Sequence, residues 1–284
     1  MLPEIKEFSI PIFISDDSKD CDTKNVIQEL NGIYEYIFYY KNTPSLGHDH
    51  NIFHTLGLAK SDYVWMLGDS MLIKKGAIAK ILKIIQDTKV DIISVNADNR
   101  AVDIDSQYFS NFNEVFSKLA WHLTLTGCTI YSRSSIATID GLKINECRNF
   151  PQIALIFSHL AVNFSFYWVN QKFVYSSISK ESYWVNTVFQ VFLNDWSYAI
   201  RNLPSCYHNK RKLILMHSYM TNIFGFKNLI IYRARGAYNI NVFKEYKTDL
   251  SEHSSLSVCT LMMISIMPKF ILKIIINLKL RLKL

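Results

Sequence analysis

The sequence predicts an α/β protein: a doubly wound, mostly parallel sheet flanked by helices, with a helical C-terminal extension. Two observations carry this. Short runs rich in Ile and aromatics alternate with helical stretches over the first hundred residues, and polar residues gather where those runs end. Composition agrees. The 284 residues are 49% hydrophobic and 19% charged, which marks a core-forming chain and excludes a disordered one. That length suits one large α/β domain with extensions, or two small domains.

Ile10 to Ser15 (IPIFIS) reads as a buried strand running into the polar loop Asp16-Asp17-Ser18-Lys19-Asp20. A helix follows over Thr23–Leu30, with Thr23 as N-cap. Tyr34–Tyr40 is the second strand and Asn42–Gly47 a turn-rich loop. Asn51–Ala59 reads as a helix with Ile52, Leu56 and Ala59 on one side. Tyr63–Leu67 is the third strand, closed by Gly68-Asp69-Ser70. Gly76–Gln86 is an amphipathic helix through Ile78, Ile81, Leu82 and Ile85, and Asp91–Val95 is a strand. In doubly wound sheets ligands bind beyond the carboxyl ends of strands. Asp16, Asp17, Asn42 and Asp69 occupy such ends, so they are candidate site residues.

Further along, Asn99–Glu114 reads as a loop with a short helix. Trp121–Arg133 reads as a strand region broken at Gly127. Helices are expected over Phe150–Phe164 (starting at Pro151), Trp184–Leu203 and Leu213–Tyr232. The expected organisation is a core over residues 1–145, a helical region over 146–255 and a tail over 256–284.

A net charge of +7 suits acidic partners. The basic residues are scattered, with no nucleic-acid-binding signature, so no nucleic-acid partner is expected. Five cysteines lie far apart without a C-x-x-C pair, and the N-terminus lacks a secretory pattern; together these read as reduced thiols in a cytoplasmic protein. The tail is the exception to the scattered charge. Its unbroken apolar part, Leu256–Met267, is shorter than the ~20 residues of a spanning helix. After Pro268, Lys269, Lys273, Lys279, Arg281 and Lys283 interleave with Ile and Leu, a pattern that suits a segment lying against anionic headgroups. The expectation is a peripheral protein on the inner face of the cytoplasmic membrane, held through Phe270–Leu284.

The stretch NTPSLGHDHNIFHTLGLAKSDYVWMLGDSMLIKKGAI, preceded by ISDDSKD, resembles the nucleotide-sugar-binding half of family-2 glycosyltransferases with the GT-A fold. The order matches: a strand ending in a Ser/Asp loop, an N-x-G-x-x-x-N-like segment, then an aromatic strand running into a D-x-D motif. The likeness covers Ile10 to about Asp98, and TLTGCTIYSR resembles the family's acceptor-side strand. It implies a sugar transferase of bacterial envelope polysaccharide or lipooligosaccharide assembly. Such an enzyme moves a sugar, with inversion, from a nucleoside-diphosphate donor to a lipid-linked or growing glycan acceptor. Donor contacts fall on Asp16, Asp17, Asn42, Gly47, Asn51, Asp69 and Ser70. The implied cofactor is Mg2+ or Mn2+ with Asp69 as ligand. The base falls within Asp140–Gln152, where Glu146 and Asp140 are the carboxylates.

The chain departs from the family in three places. The family's opening strand and first helix have no counterpart before Ile10; a longer parent protein, a rebuilt sheet and a decayed copy are the three readings of that. Met71 stands where the metal-binding Asp of D-x-D belongs, and a thioether is a poor ligand for a hard cation. Pro151-Gln152 stands where an acidic pair is expected. With the metal position altered, His217, Arg233 and Arg235 are candidate diphosphate contacts, since arginine matches phosphate oxygens in geometry. Asp49, between two histidines, reads either as a metal patch or as a solvated loop. The alternative function is a non-catalytic relative acting as a membrane-associated scaffold.

Overall fold

The computed structural model describes residues 2–30, 32–177 and 183–272. These form two compact units, one of residues 1–178 with 202–208, the other of residues 179–201 with 209–284. The division expected at 145/146 falls inside the first unit, within the 3-10 turn Ile144–Glu146 that precedes the helix beginning at Pro151.

The first unit runs α1 (Leu2–Glu7), β1 (Ile12–Asp16), α2 (Asp22–Leu30), β2 (Ile37–Lys41), α3 (His48–Leu58), β3 (Tyr63–Trp65), β4 (Met71–Ile73), α4 (Ala77–Thr88), β5 (Ile92–Ala97), β6 (Gln107–Tyr108), α5 (Phe112–Leu119), β7 (Thr129–Ser132), α6 (Arg133–Ala137), α7 (Pro151–Val162) and β8 (Phe166–Ser176). The α/β class expected from the alternating pattern is what forms. β3, β5 and β8 point the same way, as do β1 and β2; β5 pairs in parallel with β8 and β1 with β2, while β7 runs against β3 and β5, and β4 and β6 run against β8.

The strands divide into two sheets. β1 and β2 pair in parallel from Ile12↔Ile37 to Asp16↔Lys41. The second sheet has the order β3-β7-β5-β8-β4, with β6 on β8. Ile12 N–H bonds the Tyr36 carbonyl at 2.8 Å and the Asp16 carbonyl accepts from Asn42 N–H at 2.9 Å. Parallel pairing engages alternate residues, so the main-chain groups of Phe13 and Ser15 face the opposite edge of β1, and β3 is likewise an edge strand. The sequence pattern led to one continuous sheet. In the residues before β1, where the resemblance finds no counterpart of the family's opening strand, this chain has α1.

α1 has its own packing role. Its Ile5 packs with Tyr34 and Ile78. Its Glu4 carboxylate accepts the N–H groups of Gly76 and Ala79, each at 3.0 Å, at the start of α4. The N-cap of α4 is Gly76, which has no side chain to cap with, so Glu4 satisfies donors that the helix leaves open and places a negative charge at its positive end. The main core lies between the six-stranded sheet and α4: Ile73, Ala77, Ile81, Val90, Ile93, Val95, Ile130, Val169, Phe173 and Val174. Both faces of β5 are buried throughout, its polar Ser94 and Asn96 included.

The second unit is helical: a 3-10 turn at Tyr183–Thr187, a π-helical turn at Gln190–Asp195, then α8 (Trp196–Asn202), α9 (Lys210–Thr221), α10 (Phe226–Arg235), α11 (Ile240–Glu245), α12 (Lys247–His253) and α13 (Val258–Ile266). The single helix expected over Leu213–Tyr232 is two, because Asn222 takes a left-handed conformation (φ 50°) and closes α9. Among the described residues no helix is long and apolar enough to cross a membrane. The basic tail expected to meet the membrane lies outside the described residues from Lys273 onward.

Candidate functional site

The carboxyl ends of β1 and β2 bring five of the sequence-selected residues together. Asn42, just past β2, donates its amide to Asn51 Oδ1 at 3.0 Å, to Asp17 Oδ1 at 3.1 Å and to Ser15 Oγ at 3.1 Å. Ser15 in turn donates to Asn51 Oδ1 at 2.6 Å. Asp17 receives Ser45 Oγ at 2.6 Å, Leu46 N–H at 2.7 Å and Gly47 N–H at 2.9 Å. One carboxylate therefore folds the 45–47 loop onto the end of β1, and Gly47 (φ 75°) supplies the left-handed turn that starts α3. Burial pushes the Asp17 carboxyl up, but the bonds from Ser45, Leu46, Asn42 and Gly47 outweigh it and hold it below the usual range.

Asp16 is buried beside this network. It accepts Tyr39 Oη at 2.7 Å, Lys41 Nζ at 3.1 Å and Ser18 N–H at 2.9 Å. Burial works against its charge, yet these donors prevail and its carboxyl lies far below the ordinary carboxylate range. The same contact pushes the Tyr39 hydroxyl up to about 12. Asp16 is thus a charged anchor inside the loop, while Asp17 shapes the loop rim.

Asp69 and Ser70 lie in the turn between β3 and β4, and the Ser70 carbonyl accepts Ser177 N–H at 2.7 Å beyond the end of β8. β3 and β8 run the same way, so this turn sits at the carboxyl edge of the larger sheet, where the strand order places a ligand site. Met71 follows as the first residue of β4. Its Sδ accepts a long contact from Ser176 Oγ at 3.7 Å. Its methyl packs so closely on Gly127 that a side chain there would meet Met71 Cε at 2.9 Å. The fit to a divalent metal follows from this donor set. Asp69 supplies a carboxylate and Ser70 a hydroxyl, but the position that should give the second carboxylate holds a packed thioether, which does not match an oxygen-seeking cation. Among the described residues no group of three His, Cys, Asp or Glu side chains is placed to hold a metal.

The H-D-H segment has a structural use. Asp49 lies 2.7 Å from His48 Nδ1 and accepts Asn149 N–H at 2.9 Å, tying the first turn of α3 to the turn before α7. Asp49, His50, Ile144, Asn145 and Arg148 line a small cavity of about 220 Å3 there. The candidate bases stand differently. Glu146 pairs with Lys143 at 3.4 Å on the surface, and Asp140 is exposed in a 3-10 turn. Gln152, in the first turn of α7, is buried; its amide donates to the Thr124 carbonyl at 3.0 Å and its Oε1 has no partner.

His217 and Arg233, the expected diphosphate contacts, stand in the second unit. His217 is fully buried, stacked on Phe192 at 5.0 Å and against Trp196 at 5.1 Å. Arg233 spends its guanidinium on the Met267 and Tyr238 carbonyls, at 2.8 and 3.2 Å. Arg235 is exposed in the last turn of α10.

Sequence reading passed over Arg100. It follows β5 in a 3-10 turn and bonds the Trp121 carbonyl at 2.9 Å and the Thr124 hydroxyl. Desolvation lowers its guanidinium to about 10. Its only sequence signal was a lone Arg in a polar stretch, which nothing distinguished from a surface residue.

Residues 7–141 match the model of glycosyl transferase family 2. This segment is a family 2 glycosyltransferase domain. The match spans both halves of the site, from β1 through the turn holding Asp69 and on to the strand β7. Solved structures share the fold. Residues 1–349 of TarS from S. aureus, in complex with UDP-GlcNAc, superpose with a TM-score of 0.54 at 12% identity, over 86% of this chain and 80% of that one. The mannosyltransferase PcManGT from Pyrobaculum calidifontis, in complex with GDP-Man and Mn2+, does so with a TM-score of 0.53 at 13% identity, over 88% and 76%. No curated protein matches the sequence.

Proposed function

We propose that this glycosyltransferase takes a sugar from a nucleoside-diphosphate donor and passes it, with inversion, to a lipid-linked or growing envelope-glycan acceptor. The observation that carries this is the hydrogen-bonded cluster of Asp17, Asn42, Gly47 and Asn51, with Asp16 beneath it, at the carboxyl ends of β1 and β2. A loop built from carboxylates and amides at strand ends suits a base and ribose, whose edges are donors and acceptors. Asp69 completes the donor side by accepting ribose hydroxyls, with Ser70 beside it. Transfer then needs the acceptor hydroxyl deprotonated and the leaving diphosphate stabilised. Glu146 and Asp140 are the carboxylates offered for the first task. A divalent cation for the second, Mg2+ or Mn2+, would rest on Asp69 alone among carboxylates of the D-x-D turn, so its share is small. We place the protein at the inner face of the cytoplasmic membrane, held by the basic, Ile/Leu-rich segment from Phe270 onward.

Calorimetric titration of the protein with uridine, cytidine, guanosine and thymidine diphosphates tests the donor site. At least one should bind, and Asp69→Asn should weaken it roughly tenfold or more while melting like the parent, since charge-assisted bonds become neutral ones worth ~1–3 kcal/mol less. Equal affinity in both proteins removes Asp69 from the site.

A second reading has its own support. Met71 packed at the D-x-D turn, Gln152 buried at the head of α7 and the division of the sheet beside β1 all favour a non-catalytic relative that scaffolds other glycan enzymes. A well-folded protein that binds none of the four nucleotides would select it.

A further inference from the structure

α13 carries no charged side chain. At 100° per residue, Leu261, Ile264 and Ser265 fall on one side of the helix, and they are buried within the second unit, where α13 packs on α10 and α11. Val258, Cys259, Met262, Met263 and Ile266 fall in an opposite arc of about 140°. All five are exposed, Ile266 at 56% and Met263 at 48%. A helix on a water-facing surface turns charged and polar residues outward; this one turns out no charge. Between Glu252 and Lys269 the chain has no Asp, Glu, Lys or Arg. Past Pro268 the apolar surface continues with Phe270, 66% exposed, and Ile271. A patch of this kind marks an interaction surface.

We propose that the outer arc of α13, continued by Phe270 and Ile271, is a docking face that seats on an anionic lipid bilayer. The proposal rests on the peripheral-membrane reading given above and assigns the apolar half of it to a folded element. The occupant follows from the chain beside the patch. Residues 269–284 contain five Lys or Arg and no acidic residue, interleaved with Ile and Leu. An apolar face adjoining such a segment matches a surface with acyl chains beneath negative headgroups. A second copy of this chain suits it less, because self-association through the patch would gather two five-cation segments at one place. Lipid binding by a short apolar face is weak alone and becomes stable when a basic segment adds to it, so the two elements are expected to act together.

The test uses the full chain with phosphatidylcholine vesicles, with and without phosphatidylglycerol, in flotation. Wild type should float with the anionic vesicles. Met262→Glu combined with Met263→Glu should reduce that binding about tenfold, with an unchanged melt because both side chains point outward. As an independent readout, a polarity-sensitive fluorophore is placed on Cys259 in a Cys21→Ser, Cys206→Ser background, since the other two cysteines are buried. Its emission should shift to the blue on anionic vesicles. If wild type floats, the glutamate variant floats equally and the probe does not shift, the face is not on α13, although the membrane reading survives through the tail. If wild type does not float at all, the membrane reading itself fails and takes this proposal with it. If the glutamates instead convert a dimer to a monomer without changing flotation, the patch joins two copies and the proposal is overturned.

Discussion

Replacing Asp17 separates a loop built for a purpose from an ordinary turn. Its two oxygens receive four donors: Ser45 Oγ, the N–H groups of Leu46 and Gly47, and the Asn42 amide. Asp17→Asn keeps the shape but turns one acceptor into a donor. If the amide nitrogen takes the Oδ2 side it faces the Gly47 N–H and the Ser45 hydroxyl; if it takes the Oδ1 side it faces the Leu46 N–H and the Asn42 amide. On the Oδ1 side two donor–donor clashes break two contacts; on the Oδ2 side the Gly47 contact is broken, while the Ser45 hydroxyl can turn to accept and keeps a bond without its charge assistance. A charge-assisted bond contributes ~1.5–3 kcal/mol when enclosed. The loop donors are exposed and water can replace the lost acceptor, so about 1 kcal/mol per broken contact applies, or at most ~2 kcal/mol in all. For a domain of this size that lowers Tm by at most about 4–8 °C. Nucleotide affinity should fall with it, because the loop carrying Asn42 and Gly47 is no longer held to the end of β1. Thermal melts and diphosphate titrations of wild type, Asp17→Asn and Asp17→Ala read both effects. An asparagine variant that melts and binds like wild type would refute the reasoning, since it would show that the loop keeps its form without the carboxylate.

Acid should act on the same loop. Asp16 and Asp17 have folded-state values below their unfolded ones, so their contribution is fully present above the unfolded value near 4 and is lost as pH falls toward the folded values. Wild type should lose more stability than Asp17→Asn between about pH 5 and pH 2, as followed by denaturant titration at each pH. Sugar transfer should survive a chelator largely intact, because Met71 stands where the resemblance puts a metal carboxylate; complete loss on chelation, restored by Mn2+, would show that other oxygens complete a site. Gly127→Ala should destabilise by only about 1 kcal/mol or less, since the added methyl meets Met71 Cε at 2.9 Å and Leu67 Cδ2 at 3.2 Å, both ends of flexible side chains that can shift. Combining it with Met71→Ala should cost less than the sum of the two single changes in a double-mutant cycle, and strict additivity would mean that the contact carries no energy.

Much of the donor half was readable in the chain itself. Period-2 and period-3.6 patterning marks β1, β2, α3, β3, α4 and β5 within a few residues, because each turns one side or both away from water. The strand-end polar residues were legible for the same reason, since a strand entering a loop must exchange apolar neighbours for hydrogen bonds. β8 was not read, although at eleven residues it is the longest strand. Its buried Phe166, Trp168, Val169, Phe173 and Val174 are interrupted by Asn170-Gln171-Lys172, where the register to β5 shifts, and a bulge breaks the alternation that announces a strand. β4 and β6 are too short to carry a period.

What the sequence by itself determined is therefore local and repetitive: the α/β class, the order of its elements, the residues offered at strand ends, and the charge and greasiness of the tail. Tertiary structure decided who meets whom. It turned Asp17 into the clasp of the 45–47 loop and gave Glu4 to the bare start of α4. It enclosed His217 between aromatic rings, packed Met71 on Gly127, and left one apolar arc of α13 uncovered. The division has a physical basis. Backbone periodicity is written in residues a few places apart, whereas the partner of a carboxylate, an imidazole or an apolar face is set by chain segments 30 to 100 residues away, as with Asp17 and Gly47 or Asp49 and Asn149. Those encounters depend on which elements share a core, and no local pattern encodes them.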